Sequence, residues 1–166
     1  MSESDASSGQ GECIVRLDDG YYRIVVSAEK PRVKGKALLV AELPASLVAS
    51  REHACTAAAE MLANARRGRR VAKNPYLNLV AFLLGVRSIT RIVELIERLR
   101  DEEKIYLVVA EERAHVEGVR EPRYRPDKYL EALRSIGVKI PENLSGQAAA
   151  RYATTRTAAF SINLKL

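Results

Sequence analysis

Arg66, Arg67, Arg69, Arg70 and Lys73 fall within eight consecutive positions, and no acidic residue interrupts them. Positive charge at this density suits the holding of a polyanion. Catalysis calls for other residue types in other spacings. The two histidines, His53 and His115, are not spaced with cysteine or glutamate as metal ligands. Cys55 follows His53 by two positions, which puts the two on different faces of a helix and argues against a His–Cys pair. There is no Gly-x-Gly-x-x-Gly and no Gly-Lys-Ser/Thr phosphate loop. Glu102, Glu103, Glu111, Glu112 and Glu117 are interleaved with lysine and arginine, so they read as solvated loops rather than a general acid–base pair. The reading is therefore of a chain that is not an enzyme, with no catalytic residue, no metal and no cofactor.

The bulk composition agrees with a role in holding. The 166 residues carry 27 Lys and Arg against 21 Asp and Glu, a net charge of +6, which favours a polyanionic partner such as nucleic acid. Trp is absent and Phe occurs twice, so any stacking on bases falls to the seven tyrosines. No apolar run is long enough to span a membrane. Residues 1–11, MSESDASSGQG, are small, polar and acidic; they lack the apolar core of a signal peptide and read as a disordered tail. Cys13 and Cys55 are read as two reduced, buried thiols, which with the missing export signal indicates the cytoplasm. Residues 12–166 are expected to form a single α/β domain.

The elements that would carry the basic segment follow from local signals. ECIVRL and YYRIVVSAE flank Asp18-Asp19-Gly20, a hairpin signal in which both turn residues are expected to take positive φ. KALLVAEL and EKIYLVVAEE read as central strands. Ser50 can cap a helix from Arg51 to Arg67 that Gly68 stops, with Ala54, Ala57, Ala58, Met61, Leu62 and Ala65 at helical spacing. Asn74-Pro75 opens a second helix, PYLNLVAFLL, apolar almost all round and so expected to be buried. Gly85 ends it and Ser88 caps a third, ITRIVELIERLR. Pro126 opens a short amphipathic helix that ends at Gly137. QAAARYATT is read as a helical turn or two. TAAFSINLKL, alternating Phe160, Ile162, Leu164 and Leu166 with polar residues, is read as an edge strand. The fold class expected is α/β (α+β): a single mixed sheet of about five strands with helices packed on it.

The order of these signals resembles the CGI-type, PRPK-binding-protein family, the small accessory subunits of the KEOPS complex. The resemblance runs from about Leu43 to Ile96. It rests on Ala45, Ala49-Ser50, His53, Ala57, Ala72-Lys73-Asn74 and Gly85-Val86-Arg87-Ser88-Ile89, with the closing RTAAFSINLKL similar as well. The chain departs from the family at Asn78, where Glu is usual, at Val86 and Ser88, and in the extra arginines of the basic segment.

The resemblance implies a non-catalytic subunit. KEOPS adds a threonylcarbamoyl group to the adenosine beside the anticodon of tRNAs that read codons starting with A. Subunits of this family bind the complex's kinase-like ATPase subunit and recruit tRNA by its 3′ CCA end. That assigns tRNA binding here to Arg51, His53, Arg66, Arg67, Arg69, Arg70, Lys73, Asn74 and Arg87. The helix starts at Asn74-Pro75 and Ser88-Ile89 would offer N–H groups to phosphate. An exposed apolar face on the helices from Pro75, Ser88 and Pro126 would dock the kinase. Weak self-association is the one further contact the reading admits. The competing reading is a helix-turn-helix DNA-binding regulator built on residues 77–99, against which stand Glu94, Glu97 and Asp101 on the would-be recognition helix.

Overall fold

A computed structural model describes residues 12–164, so the expected N-terminal tail, together with Lys165 and Leu166, lies outside the described residues. The strands are β1 (Glu12–Leu17), β2 (Gly20–Ser27), β3 (Arg32–Lys34), β4 (Ala37–Pro44), β5 (Lys104–Glu111) and β6 (His115–Glu117). The helices are α1 (Arg51–Ala65), α2 (Pro75–Leu84), α3 (Ile89–Arg98), α4 (Pro126–Ser135) and α5 (Gly146–Leu164), with a 3-10 turn at Ala45–Leu47. The chain is thus mixed α/β, and it divides into two compact units. The first comprises the chain up to Leu43 and 104–123; the second comprises Pro44–Glu103 and 124–166.

The first unit holds the strands. Asp18 and Asp19 make the β1–β2 turn, Leu17 pairs with Gly20, and the positive φ falls on Gly20 at 140° rather than on the aspartates. β2 runs antiparallel to β5, from Tyr22 opposite Glu111 to Ser27 opposite Tyr106. The sheet order is β1-β2-β5-β4. Two central strands explain the continuous burial of Ile24, Val25 and Val26 and of Leu107, Val108, Val109 and Ala110. On one face Val25, Val108, Ala110 and Ala114 form a cluster covered in part by Val33, Val116 and Val119.

Two expectations are corrected here. KALLVAEL is an edge strand, with Leu38 and Val40 exposed. The single sheet is instead a four-stranded sheet and a separate antiparallel pair, β3 with β6. Those partners are three residues each, too short for alternation to reveal.

The second unit is helical, and its helices pack on one another. α1 lies against α2 and α5, α2 also meets α3 and α5, and α4 meets α5 and the 3-10 turn. Alanines 54, 57 and 58 are wholly buried on α1, which lets α5 come close. Glu102, expected in a solvated loop, receives the Ser46 N–H at 2.7 Å and its hydroxyl at 2.6 Å, and so clasps the 3-10 turn.

The closing strand is the largest correction: residues 146–164 are one helix. Ala149, Ala153, Thr157 and Phe160 recur at helical spacing and are buried, whereas Ile162 is 60% exposed. The period-2 pattern of the last residues is a short coincidence laid over a longer period near 3.6.

Neither cysteine is a free thiol; both are disulfide-bonded. This overturns the expectation of two reduced thiols and removes the redox argument for a cytoplasmic location. Among the described residues no helix is long and apolar enough to cross a membrane.

Candidate nucleic-acid interface

The basic segment joins α1 to α2, and α2 explains why it has a defined shape. Every residue from Asn78 to Leu84 is buried, as an apolar helix requires. A buried helix cannot leave its last carbonyls to water. Four side chains answer them. Thr157 donates to the Phe82 carbonyl at 2.8 Å, His53 Nε2 to Leu83 at 2.8 Å, and the Tyr129 hydroxyl to Leu83 as well. Arg156 donates through Nε to Leu84 at 2.8 Å and through Nη2 to Gly85 at 3.0 Å. Gly85 itself turns the chain at φ 65°.

His53 belongs to this cap. Its Nδ1 accepts from the Ala49 N–H at 3.0 Å, so the proton sits on Nε2 and the ring is neutral. The Tyr129 ring meets it edge-on at 4.7 Å. Burial pushes the imidazole down from 6.5 to about 4, with the bond to Leu83 opposing. Burial also raises the Tyr129 phenol well above its usual range. His53 is 0% exposed and both ring nitrogens are engaged, so its geometry is that of a core residue and not of an RNA-facing one.

At the other end of the α1–α2 hairpin the basic segment folds back on itself. The Asn64 carbonyl accepts from Arg67 at 3.0 Å and from Arg69 at 2.9 Å, and Gly68 reverses the chain at φ 74°. Asn78, on the first turn of α2, points its side-chain oxygen into the segment and accepts from Val71 at 2.9 Å and from Ala72 at 3.3 Å. Pinning the backbone inward throws the side chains outward. Arg66, Arg67, Arg70 and Lys73 are exposed and Arg69 is half-buried. Among the described residues no carboxylate pairs with Arg67, Arg69, Arg70 or Lys73. Some surface cations elsewhere are paired, as in Arg120–Glu29 at 2.7 Å and Arg125–Glu103 at 3.1 Å. Arg67, Arg69, Arg70 and Lys73 thus make a net positive strip that no carboxylate among the described residues neutralises.

The expected site residues do not form one cluster. Asn74 stays with the hinge as the α2 cap, accepting from Leu77 at 3.1 Å. Arg51 sits at the far end of the fifteen-residue α1, roughly 22 Å from the hinge, and lies 3.7 Å from Glu52. Arg87 follows Gly85 and donates to the Asn163 carbonyl at 3.2 Å, near the end of α5. The helix starts offer less to an anion than expected: Pro75 has no N–H, and the Asn74 and Ser88 caps already take those of Leu77 and Arg91.

Sequence reasoning missed two features. Asn78 stood out only as a departure from a family pattern, whereas it holds the hinge. A surface cleft of about 440 Å³ at the start of α1 is lined by Ser50, Glu52, Gln147, Arg151, Thr154 and Thr155. Its α5 wall was hidden because residues 146–164 were read as two elements.

The helix-turn-helix alternative finds little geometry. α2 is buried, and the exposed surface of α3 carries Glu94 and Glu97. The burial of α2 also takes it out of any exposed docking face, and Val93, 47% exposed, is the one large apolar side chain that α2, α3 and α4 expose among the described residues. No family model and no curated protein matches the chain.

Proposed function

We propose that the chain is a non-catalytic accessory subunit of a KEOPS-type complex. In this reading it binds the kinase-like ATPase subunit and recruits tRNA by its 3′ CCA end for threonylcarbamoyladenosine formation, in the cytoplasm. The observation that carries the reading is the hinge. Four exposed cations and one half-buried cation stand on a loop whose backbone Asn64 and Asn78 hold in one conformation. A preformed strip of cations binds phosphate without first ordering itself, which saves entropy on association. Arg66, Arg67, Arg69, Arg70, Lys73 and Asn74 make up this interface. Arg51, at the start of α1, and Arg87, on the Asn163 carbonyl, stand outside this strip, and His53 supports the scaffold.

The reading is tested by titrating the protein with whole tRNA and with tRNA trimmed of CCA, at several salt concentrations. Whole tRNA is expected to bind more tightly, and log affinity to fall with log salt by about 0.7 for each single-strand phosphate neutralised. Arg70→Ala and Lys73→Ala each weaken binding and flatten the slope. Arg98→Ala and Arg100→Ala, distant in the chain, serve as charge-matched controls. Equal affinity for both RNAs defeats end recognition, and unchanged salt slopes in the hinge variants defeat the interface. Co-purification of a small kinase-like ATPase with the tagged chain tests the second partner.

A further inference from the structure

We infer that the chain pairs with a second copy of itself through β4, joining two four-stranded sheets edge to edge. β4 is the last strand of its sheet, and the exposed edge of a sheet is a template for another strand. Sheet edges are commonly protected by proline, by a bulge or by charge in mid-strand. In β4 charge and proline are confined to the C-terminal end, at Glu42 and Pro44: Ala37 to Ala41 reads ALLVA, uncharged and apolar throughout. Five large apolar side chains are exposed among the described residues, and two of them, Leu38 at 37% and Val40 at 43%, stand two positions apart on this one strand. Successive alternate residues share a face, so Lys36, Leu38, Val40 and Glu42 form one row, and all four are exposed.

That row is complementary to itself in one arrangement. An antiparallel pairing with its two-fold axis at Leu39 sets Leu38 against Val40 of the partner subunit and Lys36 against Glu42 of the partner subunit, each contact occurring twice. Moving the axis to Val40 sets Leu38 against Glu42 of the partner subunit. A parallel, in-register pairing sets Lys36 against Lys36 of the partner subunit. Apolar and opposite-charge cross-strand pairs stabilise a sheet and like charges oppose it, so the Leu39-centred register is selected. A contact limited to two strands falls below the roughly 1,200 Å² of standard interfaces, so the dimer is expected to be weak and concentration-dependent.

The test is sedimentation velocity on the full chain across a concentration series, with and without reductant. A reversible monomer–dimer equilibrium that survives reduction is expected. Val40→Lys should abolish it. Lys36→Glu and Glu42→Lys should each weaken it about tenfold or more, because the symmetry turns one substitution into two repulsive pairs. The double variant Lys36→Glu/Glu42→Lys should restore it. A wild-type chain that stays monomeric at every concentration leaves the edge to another protein's strand and overturns the inference. So does a dimer lost on reduction, a dimer indifferent to Val40→Lys, or a double variant no better than the single ones. This outcome is independent of RNA binding, which the hinge titration reads separately.

Discussion

Replacing His53 with Gln separates a core role from an RNA-binding one. In the folded chain the ring is buried, neutral and bonded at both nitrogens, with its pKa held near 4 against an ordinary 6.5. Near pH 7 the folded chain does not protonate it and the unfolded chain does so only in small part. As pH falls through 6.5 the unfolded chain takes up a proton, and the folded chain does not until about pH 4. The unfolded state therefore binds more protons across this window, and stability falls as pH falls. Each unit of separation is worth about 1.4 kcal/mol, so this one group removes about 3 kcal/mol between those limits.

Gln offers a donor and an acceptor but takes up no proton. At pH 7 the variant should be less stable by about 1–3 kcal/mol, the cost of misplacing one of two buried hydrogen bonds. That deficit should shrink as the pH is lowered. The assay is urea unfolding of both proteins from pH 7 to pH 4, read as the difference between the two curves, which cancels every other titrating group. Parallel curves would refute the reasoning, as would an imidazole proton resonance for His53 that titrates in the ordinary range. The folded variant should also bind RNA at pH 7 as the wild type does. Lost affinity in a folded His53→Gln protein would return His53 to the interface.

Asn78→Ala removes the acceptor for Val71 and Ala72. It should cost about 1–3 kcal/mol in denaturant unfolding and weaken RNA binding without changing the charge of the chain. Gly85→Ala puts a Cβ at φ 65° and 3.1 Å from Arg156 Cγ and Nε, disturbing the α2 cap. A loss of about 1–2 kcal/mol is expected in thermal unfolding, and an unchanged melting temperature would mean that the turn and Arg156 adjust freely. A thiol-reactive dye should find no free thiol in the unreduced protein, native or denatured, and two after reduction; reactive thiols before reduction would contradict the disulfide-bonded state.

Local chemistry was legible in the sequence where it acts within three or four residues. Ser50, Asn74 and Ser88 cap the three helices assigned to them, and Gly85 ends α2 in the left-handed region. PYLNLVAFLL is buried because it has no polar face to offer water, and the five hinge cations needed no structure to be counted. Tertiary structure decided which surfaces are dry, and that is set by neighbours far away in the chain. A short alternating run at the C-terminus became the end of a nineteen-residue helix because a longer apolar period faces α1 and α2. His53 became a core residue because the carbonyls at the end of α2 needed donors, a demand that arises thirty positions away. Asn78 became the clamp of the hinge because the fold brings its side-chain oxygen to the Val71 and Ala72 N–H groups. The antiparallel α1–α2 hairpin put Arg51 at one end and the hinge at the other, a separation no reading along the chain contains, since hydrogen-bond demand and burial are settled only when the helices meet.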